Sequence, residues 1–341
     1  MKTAVILFNL GGPDRPDSVR PFLFNLFHDP AIIRLPNPLR WLVARLISGR
    51  RAPVARQIYA KLGGFSPLLA NTRIQAAALE QALGPDFRCF IVMRYWHPRA
   101  AEQMRAVQAW QPDRLALVPL YPQYSSTTTA SSLKEWRATT RRAGLSVPES
   151  VLCCYPAQPG LVAAVVDRIR AGLAALPAGF SSPRLLFSAH GLPQQVVDDG
   201  DPYQFQVERS VAAVMAALGR SDLDPVVCYQ SRVGRLQWLQ PSIETEIRRA
   251  GADKVPLLVV PISFVSEHSE TLVELDIEYR HLAEAQGVPA YIRVPTVDAL
   301  PGFIDGLAAE IRTALESGAG LRSAEGGRIC PAAARCCAFA P

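Results

Sequence analysis

The sequence predicts an α/β protein of two domains, each built on a parallel sheet covered by helices on both faces. Three observations lead there. Short runs rich in Val, Ile and Leu alternate with longer segments of helical period, which is the pattern of βαβ units. A chain of 341 residues, 49% of them hydrophobic, is long enough for two cores rather than one oversized core. The second half repeats the alternation of the first, without any short-period repeat. Two domains imply a cleft between them.

Taken in order, TAVILFNL reads as a strand, followed by a helix near 72–83, a strand in FRCFIVMRY, a helix near 99–110 and a strand in RLALVPLYP. A helix over Ser131 to Arg137 follows. The second half gives PRLLFSAH, a helix near 203–218, PVVCYQS, a helix near 241–250, KVPLLVVPISF and a helix near 268–286. The CCYPAQP segment marks the boundary, so that residues 1–155 form the first domain and 156–300 the second. A last helix within 301–317 folds back, and the Gly/Ala-rich tail 318–341 stands apart. The opening MKTAVILFNLGGPD starts like a secretory signal. Its apolar run stops at Gly11 and Gly12 with no small-x-small site, so it reads as a strand entering a Gly loop. No stretch reaches the roughly 18 apolar residues of a membrane span, and VPLLVVPISFV is broken by Pro261. A soluble, cytoplasmic protein is expected.

The net charge of +6 is local. Residues 30–79 hold eight Lys or Arg and no Asp or Glu, which leaves −2 for everything else. Ile32, Ile33, Leu35, Leu39, Trp41, Leu42, Val43, Leu46 and Ile47 lie there among Arg34, Arg40, Arg45, Arg50 and Arg51. Such a mixture suits a helix on an anionic bilayer, the mouth of a pocket for an acidic, greasy ligand, or an ordinary amphipathic helix with a solvated Arg face. Nucleic acid is not expected, because no recognition helix or aromatic-rich sheet accompanies the patch.

In open parallel sheets, ligands bind beyond the carboxyl ends of the strands. LLFSAHGLP puts His190 at such an end. VVPISFVSEHSETLVELDIEY runs from a buried strand into an acidic helix, with His268, Glu270, Glu274, Asp276 and Glu278 within eleven residues and no Lys or Arg until Arg280. Helical spacing puts Glu270, Glu274 and Glu278 on one stripe, where like charges repel. The stripe reads as a site for a bound divalent cation such as Fe²⁺, or as a solvated acidic face favoured by the helix dipole. LVPLYPQYSSTTTASSL offers two Tyr and a hydroxyl-rich run before a helix, either a carboxylate-binding loop or a plain N-cap and turn.

The strings LFSAHGLP, YQSRVG, PISFVSEHSETLVELDIEY, MRYWHP and PLYPQYSSTTT, with LFNLGGPD at the start, together resemble the ferrochelatase family. They run in the family's order over nearly all of residues 1–316. The resemblance implies two Rossmann-like domains of chelatase type around a porphyrin cleft, and a lyase that inserts Fe²⁺ into protoporphyrin IX, releasing two protons, at the terminal step of heme synthesis. It implies that His190 and Glu270 are catalytic, that these two with Glu274 meet the metal, and that Arg94, Tyr95, Tyr121, Tyr124, Ser125 and Thr128 line the porphyrin pocket. It further implies that the 30–50 segment is an apolar lip, which would attach the protein peripherally to the inner membrane. Mechanistically, a cleft that bends the macrocycle would expose its nitrogens. His190, with an ordinary pKa near ~6.5, would accept a proton or first bind the metal.

Coproporphyrin as substrate, a sibling cobalt chelatase, and a non-catalytic porphyrin or metal carrier remain as alternatives. A nucleotide-binding oxidoreductase does not fit, since GGPD is not a GxGxxG fingerprint. The oligomeric state is open, a homodimer included. Finally, Cys330, Cys336 and Cys337 cluster in the tail, and Cys153 and Cys154 sit at the domain boundary. A cytoplasmic setting disfavours disulfides, so these read as ligands of a metal or cluster, or as free thiols in a disordered tail. Some ferrochelatases carry a 2Fe–2S cluster on three tail cysteines and one from the body, and this tail looks similar. Cys154 is slightly preferred over Cys153 as the fourth ligand.

Overall fold

The computed structural model describes every residue except Ser181, Val233, Arg235 and Pro341. The strands are β1 (Thr3–Asn9), β2 (Phe87–Met93), β3 (Arg114–Pro119), β4 (Glu149–Leu152), β5 (Arg184–His190), β6 (Asp224–Gln230), β7 (Leu257–Pro261), β8 (Tyr291–Arg293) and β9 (Gly320–Arg322). The α-helices are α1 (Val19–Phe27), α2 (Leu39–Ala60), α3 (Leu68–Leu83), α4 (Ala100–Trp110), α5 (Thr129–Ala143), α6 (Pro159–Ala174), α7 (Gln194–Asp198), α8 (Tyr203–Leu218), α9 (Ile243–Asp253), α10 (Tyr279–Ala285) and α11 (Pro301–Glu316). A π-helix, Glu270–Glu278, precedes α10.

Two compact units result: Met1–Cys153 with Ala308–Arg322, and Cys154–Leu307 with the described residues from Ser323 on. The first holds a sheet in the order β2-β1-β3-β4-β9 and the second a sheet in the order β6-β5-β7-β8. Every pairing is parallel. Parallel strands are covered on both faces, which is why β1 is apolar along its length and all seven of its residues are buried. Alternate residues Ala4, Ile6 and Phe8 share one face and pack with Phe90, Val92, Leu115, Leu117 and Trp136. In the second unit Leu186, Leu257 and Val259 pack against Ile243, Ile247, Leu275 and Tyr279.

This topology positions the chemistry. In each sheet the strand order reverses beside the first strand of the unit, between β1 and β3 and between β5 and β7. At such a point the loops leaving neighbouring strands turn opposite ways and open a crevice at the carboxyl ends. β3 ends into the segment 120–128, and β5 ends at His190.

Three features differ from the sequence expectation. The helix expected over 268–286 is a π-helix for nine residues and an α-helix only from Tyr279. Residues 318–341 do not stand apart as a whole, because Gly320–Arg322 pairs with β4 and extends the first sheet. Strands β4, β8 and β9 have three or four residues each, too short for periodicity to reveal. Along α2, the buried residues are Ala44, Ser48, Ala52 and Tyr59. Leu39, Trp41, Leu42, Leu46 and Val54 are exposed instead. Small residues allow α2 to lie close to α1, so the larger apolar side chains point outward. Among the described residues no helix is long and apolar enough to cross a membrane.

Candidate active site

His190 is the last residue of β5, and its backbone N–H donates to Ser263 Oγ (3.1 Å), just beyond β7. The chain can turn there because residue 191 is Gly: a Cβ at Gly191 would come within 2.7 Å of the Gln230 carbonyl. The imidazole Nδ1 lies 2.8 Å from Glu270 Oε2. A carboxylate can only accept, so Nδ1 carries the proton and Nε2 is left to face outward with a lone pair or a second proton. The His190 side chain is surrounded by protein yet 40% exposed, so it is recessed but reachable. His268 Nε2 lies 3.9 Å from the same Glu270 oxygen, and the His268 ring packs on Phe264 at 4.6 Å.

Burial opposes charging of His190, but the Glu270 carboxylate outweighs it and holds the imidazole above its ordinary 6.5, with Glu274 adding to the effect. Glu270 is likewise penalised by burial and is nevertheless held well below its usual range by His190 and His268. Glu274 moves the other way, raised by burial and by the Glu270 charge. Two carboxylates near one imidazole are thereby separated into one ionised partner and one that titrates later.

Glu274 departs from the expectation of a metal ligand. Its Oε1 accepts from the Ser231 backbone (2.9 Å) and Tyr279 Oη (2.8 Å), and its Oε2 accepts from Gln230 Nε2 (3.2 Å) and Ser231 Oγ (2.5 Å). Those four donors fill its acceptor positions. Ser231, the third residue of the YQSRVG string, reaches it through a positive φ of 64°. Among the described residues no group of three or more His, Cys, Asp or Glu side chains is arranged to hold a metal ion.

The expected porphyrin-lining residues belong to the first unit. Asp29 is the hub: its Oδ2 accepts from Arg94 (2.8 Å), Tyr95 Oη (2.9 Å) and Ser131 Oγ (2.5 Å). Arg94 also donates to Glu135 and Ser131. The polar atoms of Arg94 and Tyr95 are therefore committed inside the fold, and burial together with Asp29 raises the Tyr95 phenol well above its ordinary value. Tyr121 packs against the core around Trp136, Tyr124 and Ser125 are buried, and Ser125 bonds Thr127. Thr128 precedes α5 without capping it by its side chain, and its hydroxyl is buried with no partner among the described residues. A hollow of 680 Å³ in this unit is lined by Asp29, Arg94, Ser126, Ser131 and Glu135 among others. Asp29, Ser131 and Glu135 carried no sequence signal, since one buried carboxylate is invisible until its partners are known.

In the second unit, Cys330 and Cys337 are hydrogen-bonded to each other and Cys154 is close enough to act on Cys330 electrostatically. Burial pushes the Cys330 thiol up to about 12, although Gln206 Nε2 donates to its Sγ at 3.2 Å. Cys154, Cys330 and Cys337 are all buried, and as they stand they form no group arranged to hold a metal ion. Cys336 instead points its sulfur at the Asp199 carbonyl (3.5 Å). Cys153 directly follows β4 in the first unit, and its backbone N–H donates to the Arg322 carbonyl.

A family model described as Ferrochelatase matches residues 2–315. The chain is 51% identical over 338 residues to the ferrochelatase of Caulobacter vibrioides (strain NA1000 / CB15N), covering 97% of this chain and 95% of that one. It is 54% identical over 346 residues to the ferrochelatase of Phenylobacterium zucineum (strain HLK1), covering 99% and 98%. Among solved structures it resembles SirB from Bacillus subtilis with Fe³⁺, with a TM-score of 0.53, 15% identity and coverage of 92% and 96%. It also resembles the sirohydrochlorin chelatase SirB from Bacillus subtilis subspecies spizizenii in complex with cobalt, with a TM-score of 0.55, 11% identity and coverage of 93% and 97%. Fold and site thus define an α/β protein of the two-domain chelatase type. The chain belongs to the ferrochelatase family, and it is a lyase that inserts metal into a porphyrin in heme synthesis.

The sign of the His190–Glu270 coupling can be checked. A raised imidazole pKa means that the pair's stabilisation is fully present below about 6.5, the unfolded value, and is lost as pH rises through the higher folded value. The depressed Glu270 contributes above about 4.5 and loses that contribution as pH falls through its lowered value. An NMR titration of the His190 ring should give a pKa above 6.5 in the wild type and a lower one in Glu270→Gln, where burial is opposed only by Glu274. The same value in both proteins would show that the 2.8 Å contact does not form in solution.

Proposed function

We propose that this chain inserts Fe²⁺ into protoporphyrin IX to give protoheme, releasing two protons, with His190 Nε2 as the group that meets the incoming reactants. The observation that carries this reading is the 2.8 Å contact from His190 Nδ1 to Glu270, which orients the ring and stabilises the imidazolium. The two pyrrole N–H protons must leave as the metal enters. His190 accepts from the macrocycle through Nε2 while Glu270 holds the opposite nitrogen. The Glu270 carboxylate is the oxygen donor that Fe²⁺ meets with His190, and Glu274, already occupied by four donors, acts by its charge on both. Tyr121, Tyr124, Ser125 and Thr128 wall the porphyrin, with Arg94 and Tyr95 bracing that wall through Asp29 rather than touching the ring.

Protoporphyrin is preferred to coproporphyrin because the exposed apolar side of α2 suits a dicarboxylic, vinyl-bearing ring held in lipid better than a tetracarboxylic one. The same side, with exposed Leu39, Trp41, Leu42 and Leu46 beside Arg45, Arg50 and Arg51, is the peripheral contact with an anionic membrane. Cys154, Cys330, Cys337 and, after turning from the Asp199 carbonyl, Cys336 would hold a 2Fe–2S cluster. When bound, that group would supply a one-electron centre and tie the tail to the second unit.

Three measurements test these proposals. His190→Ala should lower kcat by at least about a hundredfold while porphyrin binding, read by fluorescence quenching, changes little. Wild-type turnover by that variant would remove His190 from the mechanism, and parallel assays on both porphyrins decide the substrate. Replacing Arg45, Arg50 and Arg51 together with Gln should weaken binding to phosphatidylserine vesicles by roughly a hundredfold, at about 1 kcal/mol for each charge. Binding indifferent to those changes and to salt would return α2 to a packing role. Protein expressed with added iron should be reddish-brown, with about two irons per chain beyond any bound in heme, and Cys336→Ser should lose both colour and thermal stability. Colourless protein without acid-labile sulfide would discard the cluster.

A further inference from the structure

The sequence ETLVELDIE, rich in Leu and Glu, has ordinary α-helical preferences, yet it is wound as a π-helix over nine residues. A π-helix of that length is rare and locally unfavourable, so something outside it must select it. Gln230 and Ser231, after β6, hold its Glu270 carbonyl and Glu274 carboxylate, and a second set of contacts comes from the edge strand β8. Arg293 is nearly buried, with 7% of its side chain exposed. Its Nε donates to Asp276 Oδ1 at 2.9 Å and a terminal nitrogen closes the fork on Asp276 Oδ2. The other terminal nitrogen donates to Glu267 Oε1 at 2.5 Å, and Glu267 in turn accepts from the Thr296 backbone at 2.9 Å. One guanidinium therefore ties the residue three positions before Glu270 to the residue two positions after Glu274. Two positions away in β8, Tyr291 Oη donates to the Leu275 carbonyl at 2.7 Å, giving a partner to a π-helical carbonyl. Arg280, from α10, returns to the Tyr291 carbonyl at 2.9 Å.

We propose that Arg293 is a positioning residue for metal insertion: by holding Glu267 and Asp276 together it fixes the π-helix so that Glu270 stays against His190. This rests on the assignment of Glu270 as the carboxylate that meets iron. A planar fork is required, because one compact ammonium cannot bond both Asp276 oxygens and Glu267 at once. Arg293 touches no substrate in this scheme, and its effect is confined to what Glu270 does.

The test uses the full-length enzyme with Fe²⁺ and porphyrin, in the variants Arg293→Lys, Tyr291→Phe and Glu270→Gln. Lys keeps the charge and Phe keeps every ion pair, so neither depends on tolerating an uncompensated buried acid. Arg293→Lys should raise the KM for Fe²⁺ or lower kcat by about tenfold, as loss of an outer support of a metal-handling group does, while the KM for porphyrin stays within about twofold. Tyr291→Phe should move the same constants in the same direction by less. Amide exchange should quicken in residues 270–278 and stay unchanged in α6 and α8. Unchanged iron constants in Arg293→Lys, or equal loss of both KM values with exchange loosened throughout the unit, would overturn the proposal. Glu270→Gln separates the two levels. If it impairs turnover while Arg293→Lys does not, only the positioning role falls; if it leaves turnover intact, the assignment of Glu270 falls and this proposal with it.

Discussion

The contact between the His190 imidazole and the Glu270 carboxylate makes demands on much of the second unit. An imidazolium and a carboxylate sunk among protein atoms each bear a desolvation cost, and they persist only if the geometry of the pair is good and its remaining atoms are hydrogen-bonded. Supplying that geometry requires a strand end for His190, a glycine behind it so that the chain can turn beneath Gln230, and a helix start for Glu270. It also requires a second acid, Glu274, kept from competing by four donors from Gln230, Ser231 and Tyr279. The strained φ of Ser231 and the π-helical winding are departures from backbone preference gathered around this pair. Such departures persist where the surrounding structure over-determines them, and they concentrate at functional sites.

The first unit uses the same economy of buried charge with a different result. Asp29 gathers Arg94, Tyr95 and Ser131, and Glu135 accepts from the other terminal nitrogen of Arg94 and from Arg99. Every member of that network satisfies another, so it stiffens the segment after β3 instead of presenting a free group. The resemblance implied that Arg94 and Tyr95 line a porphyrin pocket. Their hydrogen bonds tie them to Asp29 and to Ser131 and Glu135 of α5.

Two regions carry polarity or apolarity in the unexpected direction. On α2 the core-facing stripe is small and the outward side is large and apolar, the reverse of a helix evolved only to pack. In the tail, cysteines that look loose in the sequence are partly buried, with Cys330 bonded by Gln206, and burial keeps the Cys330 thiol protonated in ordinary conditions. A ligand that binds thiolate would reverse that preference, because metal coordination removes the proton outright.

Much of the architecture was legible in the sequence because it is set by local pattern. Short continuous apolar runs such as TAVILFNL and RLLFSAH, alternating with longer periodic segments, fit strands covered on both sides, and the helices between them follow from period and length. The family was legible too, and His190 stood out as a candidate because a buried strand that ends in a polar residue marks the carboxyl edge of a sheet. Tertiary structure alone decided the rest. Strand β9 is three residues long and exists because β4 offers it an edge. The π-helix cannot be read from ETLVELDIE, whose propensities are α-helical, since the groups that bond it, Gln230 and Ser231 on one side and Tyr291 and Arg293 on the other, lie far from it in the chain. Asp29 and Ser131 stand 102 residues apart and are joined only by folding. Sequence determines which segments are strands, helices and candidate sites, because those depend on neighbours in the chain. Which acid is ionised, which is occupied, and which arginine holds them depends on partners that only the fold brings within hydrogen-bonding distance.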